Sequence, residues 1–207
     1  MKRSAQRLLA VCGIIGPILF TIVLVILGFF QSGYNHVTQY MSELGAVNAP
    51  YAIVMNTAGF CLLGFLIIAF AFGLDSGIND GKSPIIGKIS PTLVVVSGIA
   101  FVMIGFFPCD PGCVTVSTVG SIHGKVAFIA RFALIIAPLF IFQRLVKDRR
   151  WHNYHIYSLT IVGVALFLGT VYNFNVFENL NGALQRASFG IPLLWVEIMS
   201  IKLLRIS

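Results

Sequence analysis

The chain has 207 residues, of which 57% are hydrophobic and 10% are charged, and its mean hydropathy is +0.92. Soluble domains carry about 25% charged residues, so this chain has too few to cover a water-facing surface. The composition excludes a soluble globular protein and indicates an all-α, polytopic integral membrane protein. The net charge of +7 does not indicate a nucleic-acid partner, because the basic residues cluster at the ends of apolar runs.

The apolar residues form six long runs separated by short polar loops. A helix needs about 20 apolar residues to cross a bilayer, and each run is close to that length. For the first run a cleaved signal peptide is the alternative, but the run is too long for one and no small-residue cleavage site follows it. We therefore predict one domain over 1–207, a six-helix bundle with spans at about 8–30, 51–74, 89–107, 122–142, 156–172 and 186–203.

The basic residues are distributed unevenly between the two sides of the predicted membrane. Eleven of the fourteen Lys and Arg residues fall at the termini or in the loops that share their side. Only Lys125, Arg131 and Arg186 lie elsewhere. By the positive-inside rule, both termini are predicted to be cytoplasmic, in a multi-pass protein of the cell membrane.

The four cysteines divide into two pairs by position. Cys12 and Cys61 fall inside predicted spans and are interpreted as small apolar packing residues. Cys109 and Cys113 fall in an outer loop, where an oxidising compartment permits a disulfide across the intervening Asp-Pro-Gly turn. Two free thiols or a pair of metal ligands are the alternatives.

Two charged residues are predicted to lie near the middle of the bilayer. Arg131 is on the fourth span and Glu197 on the sixth. A charge at that depth costs several kcal/mol unless it is paired or faces a polar interior, so we predict an Arg131–Glu197 ion pair. Such a pair could equally lock the bundle or mark a substrate path.

The remaining polar residues concentrate on the predicted outer half. Two histidines with carboxylates could bind zinc, but no metal-binding spacing is present, and we expect no metal site and no cofactor. Ser42 with His123 could form a nucleophile and base, but no nucleophile elbow surrounds the serine. Arginines with a histidine could bind an anionic headgroup, and this interpretation fits the placement best.

We therefore assign candidate roles to the polar residues of this half. The candidate catalytic residues are His123, Glu43 and Asp110, and the candidate ligand-binding residues are His36, Ser42, Arg131, Arg186, Glu197 and Glu178. Each also has a simpler interpretation when taken alone. Ser42 and Glu43 could cap a short helix, Asp110 could be a turn residue and Glu178 a solvated acid.

Several short segments carry a resemblance to known families. The segments YNHVTQYMSELGA, FPCD, SIHGKVAF and GALQRASFG resemble a bacterial and archaeal membrane family catalogued as domain of unknown function 998. That resemblance runs from about Gly33 to Leu204 and implies six spans with an outward-facing polar loop. The Ser42-Glu43-Leu44-Gly45 segment is more faintly similar to the first lumenal loop of the damage-regulated autophagy modulator and glycosylphosphatidylinositol-lipid remodelling family.

These patterns favour a protein that binds a membrane lipid or another amphipathic molecule with an anionic headgroup, and that could remodel it. Arg186 and Arg131 would engage the anion, and His123 would act as acid or base. The alternatives are a transporter for a small solute or protons, or a non-catalytic membrane scaffold. Transport is less favoured because Pro17, Pro91, Pro138 and Pro192 do not form matched broken helices.

Overall fold

The computed structural model describes residues 2–78 and 85–207, without the side chains of residues 85, 86 and 178. Across these residues the chain is helical, with no strand, which confirms the predicted all-α class. Six helices are long and apolar enough to cross a membrane. They are α1 (Arg3–Phe30), α2 (Ala52–Gly77), α3 (Ile85–Phe106), α4 (Thr118–Lys147), α5 (Tyr154–Asn173) and α6 (Asn181–Ile206). The protein is therefore a multi-pass membrane protein.

The helices form because an apolar solvent leaves backbone groups no partner except one another. Four helices contain an internal proline, which such bundles accommodate when neighbouring helices satisfy the freed carbonyl. In α2 the segment Met55–Cys61 widens to a π-helix. There the Asn56 side chain donates to the Gly45 carbonyl at 2.9 Å and so ties α2 to the preceding loop.

The bundle is a closed ring of antiparallel neighbours. Each helix packs against the next in sequence, and α6 closes the ring by packing against α1 and also touches α2 and α4. Aromatic pairs fill the centre, with Phe70 edge-on to Trp195 and Phe101 edge-on to Phe189. Helix α6 therefore contributes to both the core and the cavities beside it.

Both termini lie at one end of the bundle, which we call the terminal end. A side chain on Gly77 would meet both Leu203 and Gln6, which brings the ends of α1, α2 and α6 together. Arg144 of α4 connects the helices at this end through hydrogen bonds. Its guanidinium donates to the Asp75 carboxylate at 2.8 Å and to the carbonyls of Asp75, Ile78 and Gly87.

The position of Arg144 differs from the sequence prediction, in which the fourth span ended at about 142 and Arg144 therefore counted among the basic loop residues. Helix α4 continues to Lys147, and Arg144 is only 3% exposed. The helix therefore extends beyond the apolar run that predicted it. Its last turn is stabilised by the hydrogen bonds and the ion pair of Arg144, which a hydropathy pattern does not reveal.

We call the opposite end of the bundle the distal end. Here the loop after α1 folds into a short 3₁₀-helix, Met41–Gly45, that buries Met41, Ser42 and Leu44 against the bundle. Helix α5 is only 20 residues long and is followed by a turn with exposed Phe174, Val176 and Phe177. Because α5 ends early, the distal part of α4 extends beyond the end of α5 on this side.

Candidate functional site

A polar cavity of 320 Å³ lies in the distal half of the bundle, between the distal loops and helices α4, α5 and α6. Three of the residues that line it, Gly124, Phe128 and Asn173, are exposed, so the cavity reaches the surface beside α4. Its lining consists of Tyr40, Ser42, Cys113, His123, Gly124, Ala127, Phe128, Arg131, Tyr172, Asn173, Gln185 and Phe189.

Arg131 is the cationic group of this cavity and is only 5% exposed. Its Nη2 donates to the side-chain oxygen of Asn173. The guanidinium lies over the ring of Tyr172, with 4.6 Å from Cζ to the ring centroid, and near the ring of Phe189 at 5.8 Å. Its Nη1 is buried and has no hydrogen-bond partner among the described residues. In the part of the chain that the structure describes, no carboxylate neutralises this charge.

The predicted Arg131–Glu197 ion pair is wrong: the two residues form no salt bridge within the described residues. Arg131 is level with Phe189 on α6, and Glu197 is eight residues further along that helix. Eight residues correspond to about 12 Å along the axis, so Glu197 lies too far toward the terminal end. Glu197 is half-buried there, near the Tyr157 hydroxyl of α5.

His123 lies two turns before Arg131 on α4 and lines the same cavity. Its Nδ1 is 2.8 Å from the carbonyl oxygen of Phe107. A carbonyl only accepts, so Nδ1 carries the hydrogen and Nε2 presents a lone pair. The side chain is 6% exposed, and Nε2 has no hydrogen bond among the described residues. Within the described part of the chain, Nε2 therefore remains available to accept a hydrogen bond.

A polar network connects the cavity wall to the distal loop. The Gln185 side-chain oxygen accepts from the Met41 N–H at 2.7 Å, and its Nε2 lies 3.4 Å from both the Ser42 and Tyr172 hydroxyl oxygens. Ser42 thus lines the cavity as a member of this network. Tyr172, Asn173 and Gln185 were not among the predicted site residues. The one available signal was the position of Gln185 in the GALQRASFG segment, directly before the predicted sixth span.

Glu43 serves the local structure of the distal loop. Its carboxylate accepts from the Tyr40 N–H at 2.8 Å and from the Gln39 side chain at 2.9 Å, which caps the 3₁₀-helix. Glu43 does not line the polar cavity. The simpler interpretation, a helix cap, describes its contacts.

Asp110 also binds local backbone. Its carboxylate accepts from the N–H groups of Val116 and Ser117, both at 2.9 Å, and from the Ser117 hydroxyl at 2.7 Å. These hydrogen bonds hold the pKa of Asp110 below its ordinary value. Ser117 in turn caps α4 by accepting from the Gly120 N–H at 3.0 Å. Asp110 therefore fixes the start of the helix that carries His123 and Arg131.

His36 and Arg186 lie beside a different cavity, between α1 and α6. This cavity has a volume of 470 Å³ and an otherwise mostly apolar lining, and it shares Phe189 with the polar cavity.

Arg186 is held by groups of the distal loop and of its own helix. It donates to the carbonyls of Gln39 and Gly182, both at 2.9 Å, and to the Tyr34 hydroxyl. Burial and the nearby Arg186 charge lower the pKa of His36. The side chain of Glu178 lies outside the described residues.

Cys109 and Cys113 are joined by a disulfide, with Cα atoms 5.1 Å apart. Among the described residues, one group has the composition of a metal site: these two sulfurs and a His123 ring nitrogen all lie within 4.8 Å of one another. A metal would require the two cysteines as thiolates, which the disulfide precludes. In this form the disulfide instead closes the distal edge of the cavity at Cys113.

The sequence comparisons identify the family. The chain belongs to the family described as Protein of unknown function (DUF998), whose profile matches residues 14–202. This confirms the resemblance carried by the distal-loop and span-4 segments, whereas the fainter similarity to the autophagy modulators stays a prediction. No curated protein and no solved structure matches the chain.

Proposed function

We propose that this protein binds a lipid or other amphipathic molecule through its anionic headgroup, with Arg131 as the principal anion-binding residue. The observation that carries the proposal is a buried arginine that is 5% exposed. Among the described residues its Nη1 has no hydrogen-bond partner and no carboxylate neutralises its charge. The family description names no activity, so the proposal depends on this geometry.

An isolated cation within a membrane protein is unfavourable by several kcal/mol. Asn173 satisfies one guanidinium nitrogen, and the Tyr172 ring offers a cation–π contact, but neither supplies negative charge. Of the twelve residues that line the cavity, Arg131 alone carries a fixed charge. A phosphate or carboxylate would neutralise it and accept from its planar fork of donors.

The walls of the cavity fit the apolar part of such a molecule. Ala127, Phe128 and Phe189 form an apolar surface beside the guanidinium. The volume of 320 Å³ lies at the lower end of the range of about 300–1,000 Å³ that is usual for small-molecule sites. A headgroup with the first part of a chain matches this size better than a whole lipid.

His123 gives the site a group that could act on the bound molecule. Its Nε2 lone pair could accept a proton from a bound hydroxyl or from water near the anion, and the Phe107 carbonyl fixes the ring orientation. If the protein remodels its ligand, replacement of His123 by alanine should abolish conversion while the ligand still binds. If it only binds or presents a lipid, that variant should behave like the native protein.

The proposal is tested by direct binding with purified, detergent-solubilised protein. Fluorescent phosphatidylglycerol should bind more tightly than fluorescent phosphatidylcholine, and Arg131→Gln should weaken phosphatidylglycerol binding about 10- to 100-fold, since a hydrogen bond to a charged group contributes about 1.5–3 kcal/mol. Lys125→Gln is the matched control, because Lys125 is an exposed cation on the same helix. Equal binding by Arg131→Gln and the native protein would overturn the proposal.

A further inference from the structure

We infer that the ligand is a bilayer lipid that enters sideways between α4 and α5, with its headgroup at Arg131 and an acyl chain in a groove between these two helices. The inference rests on the proposed function and specifies the source and orientation of the ligand. It starts from a second cavity that shares Arg131 with the first.

This second cavity is a groove of 150 Å³ between α4 and α5. It shares Phe128, Arg131 and Asn173 with the polar cavity, so the guanidinium lies where the two spaces meet. A molecule that binds Arg131 from the polar cavity can therefore continue into the groove without a change in the fold.

The groove is polar at one end and apolar at the other. On α5 its lining runs from Asn173 through Gly169 to Leu166, which are successive positions on one helix face. On α4 it runs from Arg131 to Phe132 and Ile135. Both series lead away from the charge toward the middle of the bundle. This is the order of groups along a membrane lipid whose headgroup points toward the distal end of the bundle.

The groove also faces the region that lipid occupies. Phe128 is 50% exposed and Phe132 44% exposed, and their rings stack at 5.6 Å along the outside of α4. A stacked aromatic pair on the lipid side of a helix provides a flat wall for an acyl chain. Gly169 makes the opposite wall concave, because it places no side chain there.

The early end of α5 provides the entrance. Helix α5 ends at Asn173, which is level with Arg131. Arg131 is 13 residues from the start of α4, so about 20 Å of α4 extends beyond the end of α5. The turn that follows exposes Phe174, Val176 and Phe177. An exposed apolar turn beside the stretch of α4 that extends beyond α5 suits contact with lipid and leaves a lateral opening at the height of the cavity.

The test compares a full lipid with its headgroup alone, using purified full-length protein. The probes are dioleoyl-phosphatidylglycerol and water-soluble glycerol 3-phosphate. The groove is filled by Gly169→Leu. Gly163→Leu on the same helix is the control, because a Cβ at Gly163 would meet no described atom within 4 Å. We expect Gly169→Leu to weaken lipid binding about tenfold, which is about 1.4 kcal/mol, and to leave glycerol 3-phosphate binding unchanged.

The outcomes separate the two proposals. Unchanged lipid binding by Gly169→Leu would overturn the groove assignment and leave the proposed function standing. If Arg131→Gln binds both the lipid and glycerol 3-phosphate as tightly as the native protein does, the proposed function itself is overturned. Should Gly169→Leu fail to fold, Gly169→Ala replaces it, because its Cβ would lie 3.5 Å from Ile135 in ordinary contact. In the native protein, a lipid with a photoreactive group in its chain should crosslink to Phe132 or Leu166, and crosslinking only at the α1–α6 cavity would contradict the groove assignment.

Discussion

Gln185 of α6 accepts a hydrogen bond from the main-chain N–H of Met41 at 2.7 Å, across 144 residues of sequence. This bond fixes the distal loop onto the bundle, and Gln185 is only 6% exposed. The same amide lies 3.4 Å from the Ser42 and Tyr172 hydroxyl oxygens, so one side chain positions two groups of the cavity wall.

We therefore expect Gln185→Leu to destabilise the protein by about 1–3 kcal/mol, because a buried N–H loses its acceptor. Thermal unfolding in detergent measures the change. Gln143→Leu is the control, because Gln143 is exposed on α4. If both variants unfold at the native temperature, Gln185 does not hold the loop.

Two glycines one turn apart on α4 should respond oppositely to alanine. At Gly120 a Cβ would lie 2.0 Å from an Asp110 carboxylate oxygen, whereas a Cβ at Gly124 would have no atom of the described residues within 4 Å. The Asp110 carboxylate is held by three hydrogen bonds and cannot move without breaking them. Gly120→Ala should cost about 1–3 kcal/mol, the usual cost of overpacking.

Gly124→Ala should instead be neutral or stabilising by up to about 1 kcal/mol, because alanine favours the helix. Thermal unfolding of the two variants side by side gives the comparison. A loss of stability in Gly124→Ala equal to that in Gly120→Ala would show that the Asp110 contact is not the cause.

Arg144 should be the most important charged residue for stability at the terminal end. Its side chain is 4% exposed, and Arg144→Met would leave the carbonyls of Ile78 and Gly87 without this donor. The Asp75 carboxylate would keep its ion pair with Lys88. We expect a loss of about 3 kcal/mol, since removal of one member of a buried pair costs about 3–5 kcal/mol and Lys88 offsets part of it. Lys147→Met, an exposed cation one turn further on α4, should unfold like the native protein.

The fold could be predicted from the sequence because its cause is compositional. Long apolar runs in a bilayer form helices, because a helix satisfies the backbone hydrogen bonds within the segment. The six predicted runs correspond to the six membrane-spanning helices of the described residues. The ends of the helices were harder to predict. Arg144 was interpreted as a loop residue because hydropathy does not register a polar side chain that finds its partners on another helix.

The site was predicted in part. His123 and Arg131 line one cavity. Both are on the same helix, so their relative direction depends only on the number of residues between them. The partner of Arg131 was predicted wrongly, because the relative height of two helices is set by packing and by where their loops end. Here α5 ends at Asn173, level with the guanidinium, and Glu197 lies deeper. Glu43 and Asp110 are occupied by nearby N–H groups, which local sequence position already suggested.

The most direct test of the unneutralised charge at Arg131 is native mass spectrometry of the protein purified from its own membranes, with no lipid added. The native protein should retain a bound anionic amphipathic molecule, and Arg131→Gln should lose it, while Lys125→Gln keeps it. An Arg131→Gln protein that carries the same adduct in the same proportion as the native protein would contradict the assignment of Arg131 as the anion-binding residue.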